Sequence, residues 1–339
     1  MIPILYLLAI LAVAWLAWPR RGLIARWRDA RLVTDRLRWE DALKHVLKLE
    51  ANRQVATLES VAGALHIRPN QAVTLLEAME QGGLLSYGPG SLVLRPAGRE
   101  LAIHVIRAHR LWESYLAEQT GVAEAEWHQR AERQEHFLSQ QQTQALSAQL
   151  GHPTLDPHGD TIPDERGELN ADPGQPLNAA PLNTPLVLTH VEDEPEVIYA
   201  QLTAEGLRAG MKAVIIEKTP QRVRFWADGA EHVLAPILAN NISVAPLPES
   251  SPEDLFAEEY LSSLHLGERG KVLGLTQACR GVERRRLLDL GFVPGTVIEV
   301  DLISPSGDPT AYRVRGTVIA LRREQAGLIR IAREEPVAA

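Results

Sequence analysis

The sequence predicts a multidomain α+β protein, and three observations predict it. An uncharged apolar run opens the chain at Ile2–Trp18. Amphipathic helical patterns then fill the stretch from Arg38 to Leu150, broken by one short hairpin. From Leu186 on the pattern turns to strands, and it repeats: Gly206 and Gly291 stand 85 positions apart, as do Val233 and Val318. A chain of 339 residues has room for about two to four domains. Its net charge of −8 rules out a polycation that binds nucleic acid over its whole surface. Cys279 is the single cysteine, which excludes intramolecular disulfides and cysteine-rich zinc modules.

The opening run, IPILYLLAILAVAWLAW, rises roughly 25 Å as a helix, enough to cross a bilayer core. Trp15 and Trp18 stand at one end and arginines follow from Arg20. That pattern predicts a single-pass anchor in the cytoplasmic membrane, with the bulk of the chain in the cytoplasm.

Arg38–Glu50 reads as an amphipathic helix whose apolar side carries Trp39, Ala42, Leu43, Val46, Leu47 and Leu49, with Asp41 also on it. Leu58–Leu65 predicts a short helix, 66–69 a tight turn, and Asn70–Gln81 a second helix stopped by Gly82 and Gly83. Leu84–Tyr87 and Ser91–Leu94 flank a Gly-Pro-Gly turn and predict a hairpin. Helix, turn, helix, hairpin is the outline of a winged helix-turn-helix. Its second helix would lead into the major groove with Arg68, Asn70, Gln71 and Thr74, polar groups able to bond base edges or phosphates. Glu77, Glu80 and a hairpin tip without Lys or Arg weaken the phosphate attraction on which DNA affinity usually rests.

Arg95–Tyr115 predicts a long helix that carries His109 and Glu113 four residues apart. After a break at Gly121, His128, Glu132, Glu135 and His136 fall at i, i+4, i+7 and i+8. On helices these spacings stack each set on one face. Two helices so arranged aim imidazoles and carboxylates at a common point. Such a donor set, free of thiolate, suits Mn2+, Fe2+ or Zn2+. The plain alternative is a pair of solvated helices. A polar helix over 138–150 follows. Pro, Gly, Asp and Asn then mark 151–185 as a linker.

At this point residues 37–165 resemble the diphtheria toxin repressor and manganese transport regulator family. The motifs are HIRPNQAVTLLEAMEQGGLL, LRPAGRELA, IRAHRLWESYL, WHQRAERQEHFLS and DPHGDTIP, in order over about 130 residues. The resemblance implies a metal-dependent regulator that dimerises through its helical domain and binds operator DNA. It implies a main metal site of Asp41, Glu132, Glu135 and His136, and a second of His109, Glu113 and His128. In manganese-type members the position of His109 joins the main cluster. Oxygen donors stand at Asp41 and Glu132 where iron-type members carry sulfur, which shifts preference toward Mn2+ over Fe2+. Lys44 stands where binuclear manganese-type members offer another carboxylate, and a cation there repels a second metal ion. Residues 261–332 resemble the FeoA family of SH3-like barrels, on LHLGERGKVLGL, ERRRLLDLGFVPGTVIEV and RGTVIALRREQAGLIRI. The 85-residue repeat makes the preceding barrel its duplicate.

The resulting division is anchor 1–30, winged helix 31–98, metal-binding and dimerisation domain 99–165, linker 166–185, barrels 186–250 and 251–335. The leading expectation is a membrane-tethered, Mn2+- or Fe2+-dependent transcription regulator, not an enzyme. The competing one is a membrane-anchored accessory of a ferrous iron or manganese transporter, acting through its FeoA-like barrels. A metallohydrolase has little support, since no nucleophile elbow or phosphate-binding loop occurs.

Overall fold

The computed structural model describes residues 23–88, 90–164, 167, 174–247, 251–252, 259–276 and 278–334. They fall into two compact units. One holds the described residues through His109 together with 134–140 and 167; the other holds 110–133, 141–164 and the described residues from 174 on.

The first unit begins with α1 (Leu23–Ala51), longer at its N-terminal end than the apolar pattern implied. Ala42, Leu43, Val46 and Leu47 are its buried side. Helix α2 (Leu58–Ala64) starts at a Thr57 capping box: Ser60 N donates to Thr57 Oγ1 at 3.1 Å and Thr57 N to Ser60 Oγ at 3.0 Å. Helix α3 (Pro69–Gln81) buries Ala72, Leu75, Leu76 and Met79 and starts on proline, whose missing N–H costs nothing there. Strands β1 (Leu85–Gly88) and β2 (Ser91–Leu94) pair antiparallel, with Leu85 opposite Leu94. Helix α4 (Pro96–Gln119) follows and passes from the first unit into the second after His109. Gly98 is required on α4, because a Cβ there would meet Leu84 O at 2.0 Å. Its bare backbone lets α4 lie against the start of the hairpin.

The second unit continues with α5 (Trp127–Glu135, its last two residues belonging to the first unit) and α6 (Gln140–Gln149). Two six-stranded antiparallel sheets follow. The first runs β3–β8–β4–β5–β6–β7, from β3 (Gln175–Pro176), β4 (Pro185–Val191), β5 (Lys212–Lys218), β6 (Val223–Ala227), β7 (Ala230–Leu234) and β8 (Ile242–Pro246). The second runs β9–β14–β10–β11–β12–β13, from β9 (Glu259–Tyr260), β10 (Arg269–Leu275), β11 (Val297–Ile303), β12 (Thr310–Val314), β13 (Thr317–Leu321) and β14 (Ile329–Glu334). The strand orders correspond one to one. Bulges correspond too: Ile215/Glu217 in β5 matches Val300/Leu302 in β11, again 85 residues apart. Helix α7 (Glu196–Ala204) likewise matches α8 (Gly281–Asp289). The repeat seen in the sequence is therefore a repeat of topology.

Two expectations need correction. The membrane placement does not stand: among the described residues no helix is long and apolar enough to cross a membrane. The run Ile2–Trp18 itself lies outside the described residues, and α1, which is described from Leu23, carries charge in each turn from Arg26 to Glu50. The stretch taken as linker is also more ordered than its composition suggested. It supplies β3, and Leu177 and Ala180 are fully buried in the first sheet's core. Apolar residues spaced among prolines were outvoted there by the local Pro and Gly content.

Candidate metal centre

Two clusters of imidazoles and carboxylates form, one in each unit. In the first unit, Asp41, Glu135 and His136 offer ligand atoms that all lie within 4.8 Å of one another. Asp41 comes from α1; Glu135 is the last residue of α5 and His136 the first beyond it. The turn after α5 is pinned by His104 Nε2, 2.9 Å from Leu138 O. His136 Nε2 is 3.2 Å from Asp41 Oδ1, and its Nδ1 is 2.7 Å from Glu40 Oε2. Glu40 is buried and also accepts from Arg36 Nε at 2.7 Å. An Nδ1–H held by Glu40 leaves the Nε2 lone pair for a cation beside Asp41. The buried Glu135 carboxylate bonds His109 Nδ1 and accepts from Lys44 Nζ at 3.0 and 3.1 Å.

Electrostatics fit a cation site. Burial alone would lower the His136 pKa, yet bonds to Asp41 and Glu40 push it up to about 9. Burial alone would raise the Glu135 pKa, and the Lys44 charge, with the His109 hydrogen bond, holds it below the ordinary carboxylate value. Glu135 thus stays ionised beside His136, whose Nε2 faces Asp41.

In the second unit, Glu113 of α4, His128 of α5 and Asp193 of the loop after β4 lie within the same 4.8 Å span. His128 Nδ1 is 2.9 Å from Asp193 Oδ2 and 3.3 Å from Glu113 Oε1. Glu132 is half exposed, 3.5 Å from His128 Nε2. His158, almost fully buried, places Nε2 3.6 Å from Glu113 Oε1. Its ring stands edge-on to Tyr199, whose hydroxyl donates to Glu124 at 3.0 Å. Gly159 is required in this loop: at φ 96° it approaches Thr189 O so closely that a Cβ would sit 1.9 Å away. Burial would lower the His128 pKa, but bonds to Asp193, Glu113 and Glu132 drive it up to about 12. Asp193, which burial would raise, is held well below the carboxylate range by the His128 hydrogen bond. Anionic character this strong around one imidazole is what a divalent ion would neutralise.

The donors fit a borderline-to-hard divalent ion. Each cluster offers only carboxylate oxygen and imidazole nitrogen, and Cys279 is buried in the core of the second sheet. Donors about 2.1 Å from a shared ion lie at most roughly 4.2 Å apart, so the 4.8 Å span closes by small rotamer changes.

Of the residues expected from sequence, Asp41, Glu135 and His136 come together, and Glu113 meets His128. His109 bonds Glu135. Glu132 faces His128. Helix α5 ends at Glu135, so helical spacing covers 128, 132 and 135 but not His136. Sequence reading missed Glu40, His158 and Asp193. Arg68, Asn70, Gln71 and Thr74 are all exposed at the start of α3.

The site's shape can now be set against known proteins. Residues 95–164 match the family described as iron dependent repressor, metal binding and dimerisation domain, and residues 260–333 match the FeoA domain. The iron-dependent repressor IdeR of Mycobacterium leprae is 32% identical over 165 residues, 41% of this chain and 70% of that protein. The chain belongs to the iron-dependent repressor (DtxR) family. It is a DtxR-type regulator that carries a FeoA domain. A solved manganese-dependent transcriptional repressor, in complex with manganese, shares the fold at 24% identity. It aligns with a TM-score of 0.57 over 62% of this chain and 100% of its own. Other likenesses are partial. A probable metal transport system membrane protein of Chlamydia trachomatis is 41% identical over 81 residues, 24% of this chain and 18% of that one.

Proposed function

We propose that this DtxR-type regulator is a repressor in which a divalent ion, Mn2+ or Fe2+, bound by Asp41, Glu135 and His136 fixes the winged helix for operator DNA. One observation carries the reading: ligand atoms of these three residues, drawn from α1 and from the end of α5, lie within 4.8 Å of one another. A bound ion would supply a bridge between α1 and α5 that neither helix makes alone. Glu40 orients His136, and Glu135 is ionised and ready. Because α1, whose Leu43, Val46 and Leu47 are buried, packs against α2 and β2, fixing α1 fixes the unit that reads DNA. Arg68, Asn70, Gln71 and Thr74 are the contacts on α3, and homodimerisation runs through the helical domain matched at 95–164. A second ion at Glu113, His128 and Asp193 would tie the first sheet domain, which we read as an SH3-like barrel, to α4 and α5. The FeoA-matched second sheet domain is read as its duplicate.

The test is selection of duplex DNA from a random pool by the full chain, with Mn2+, with Fe2+ and with chelator. The reading expects enrichment of a two-fold symmetric sequence only with metal. Equal enrichment with chelator, or none in any arm, would overturn it.

The FeoA match at 260–333 favours a second reading, in which this domain also binds a ferrous iron transporter. Leu266, Leu273 and Leu302 are more than half exposed on it. Co-purification with such a transporter, lost on deleting 259–334, is the result that reading expects.

A further inference from the structure

Lys44 stands one turn after Glu40 and Asp41 on α1. Its Nζ lies 3.0 and 3.1 Å from the two oxygens of Glu135 and 3.4 Å from His109 Nδ1. The Glu135 side chain is 1% exposed and that of Lys44 22%. A buried carboxylate thus binds, through both oxygens, a cation that the chain itself supplies.

We propose that the Lys44 ammonium is a resident cation that fills the second cation position of this cluster and limits it to one divalent ion. The inference rests on the metal reading above. Charge decides the count. Glu40, Asp41 and Glu135 bring three negative charges to the cluster, and Arg36 and Lys44 return two. One divalent ion therefore takes the cluster to a single positive charge. A second would take it to three, around the buried carboxylates of Glu40 and Glu135. With glutamate at 44, two divalent ions would reach that same single positive charge. Lys44 is also covalently tethered, so it occupies its place at any ion concentration. By joining α1 to Glu135, it holds the cluster together before any metal arrives.

The test counts Mn2+ bound per full chain by equilibrium dialysis and elemental analysis. A His128→Ala background silences the second cluster. The inference expects one ion with Lys44 in place and two in Lys44→Glu. In Lys44→Met it expects one ion bound at least ~tenfold tighter, and a metal-free melting temperature below that of the parent. One ion in Lys44→Glu, with affinity and melting unchanged in Lys44→Met, overturns it. Should Lys44→Glu fail to fold, the affinity and melting of Lys44→Met decide alone. A parent that binds no Mn2+, and is unaffected by Asp41→Ala, overturns the metal reading and the inference together. A parent that binds one ion, lost in Asp41→Ala, keeps the first and leaves the lysine arms to judge the second.

Discussion

Glu40→Gln is the sharpest perturbation of the metal centre, because it touches no cation directly. Glu40 lies 1% exposed, accepting from His136 Nδ1 and from Arg36 Nε, each at 2.7 Å. Its negative charge selects the His136 tautomer that carries hydrogen on Nδ1 and leaves Nε2 free, 3.2 Å from Asp41. Glutamine keeps the shape and one acceptor oxygen but loses the charge, and its NH2 can turn toward Nδ1 and select the opposite tautomer. A hydrogen bond to a charged group contributes roughly 1.5–3 kcal/mol. Partners that orient a metal-bound histidine are worth about 10–100-fold in affinity. The two figures agree, since tenfold is about 1.4 kcal/mol. Glu40→Gln should therefore bind Mn2+ at the first cluster at least about tenfold more weakly, with an unchanged helical circular dichroism spectrum. Competition against a fluorescent chelator reads that affinity. An affinity equal to that of the parent would refute the reasoning, because the tautomer would then not depend on Glu40.

Gly98→Ala should destabilise the first unit by ~2 kcal/mol despite the better helix propensity of alanine, because the new Cβ meets Leu84 O at 2.0 Å; chemical denaturation followed by tryptophan fluorescence checks it. Leu76→Ala removes a fully buried side chain from α3 and should cost roughly 2–5 kcal/mol by the same assay. The metal-free chain should lose stability as pH rises from 6.5 toward 9: the His136 pKa is raised in the fold from 6.5 to about 9, so the imidazolium contribution is complete below the first value and lost through the second. Melting temperatures across that range test this, and saturating Mn2+, which takes the proton's place, should flatten the slope. His128→Ala with Asp193→Asn should lower the Mn2+ count by one and leave the first cluster's affinity intact, as read by dialysis.

Periodicity made much of this fold legible. The buried side of α1 and the boundaries of α2, α3 and the hairpin follow from apolar spacing, glycine stops and one capping box. The 85-residue offset carried even the placement of bulges between the two sheet domains. Asp41, Glu135 and His136 were legible through the resemblance, His136 lying just beyond α5. Glu40 was not singled out beside Asp41, because nothing local distinguishes a buried acid from an exposed one. Asp193 lies in a loop sixty-five positions beyond His128, and its one signal was the acidic run Glu192–Glu194 just after His190. His158 sat in a segment whose prolines and glycines read as linker, although its neighbours Asp156 and Pro157 are buried with it. Glu132 was placed by the resemblance alone, and in the structure its carboxylate lies 3.5 Å from His128 Nε2.

The central claim is that one divalent ion joins α1 to the end of α5. Manganese anomalous difference density from crystals of the full chain grown with Mn2+ tests it most directly. The account predicts a peak within bonding distance of Asp41, Glu135 and His136, with Lys44 Nζ still hydrogen-bonded to Glu135. Density absent from that position in crystals that hold manganese elsewhere on the chain would contradict it.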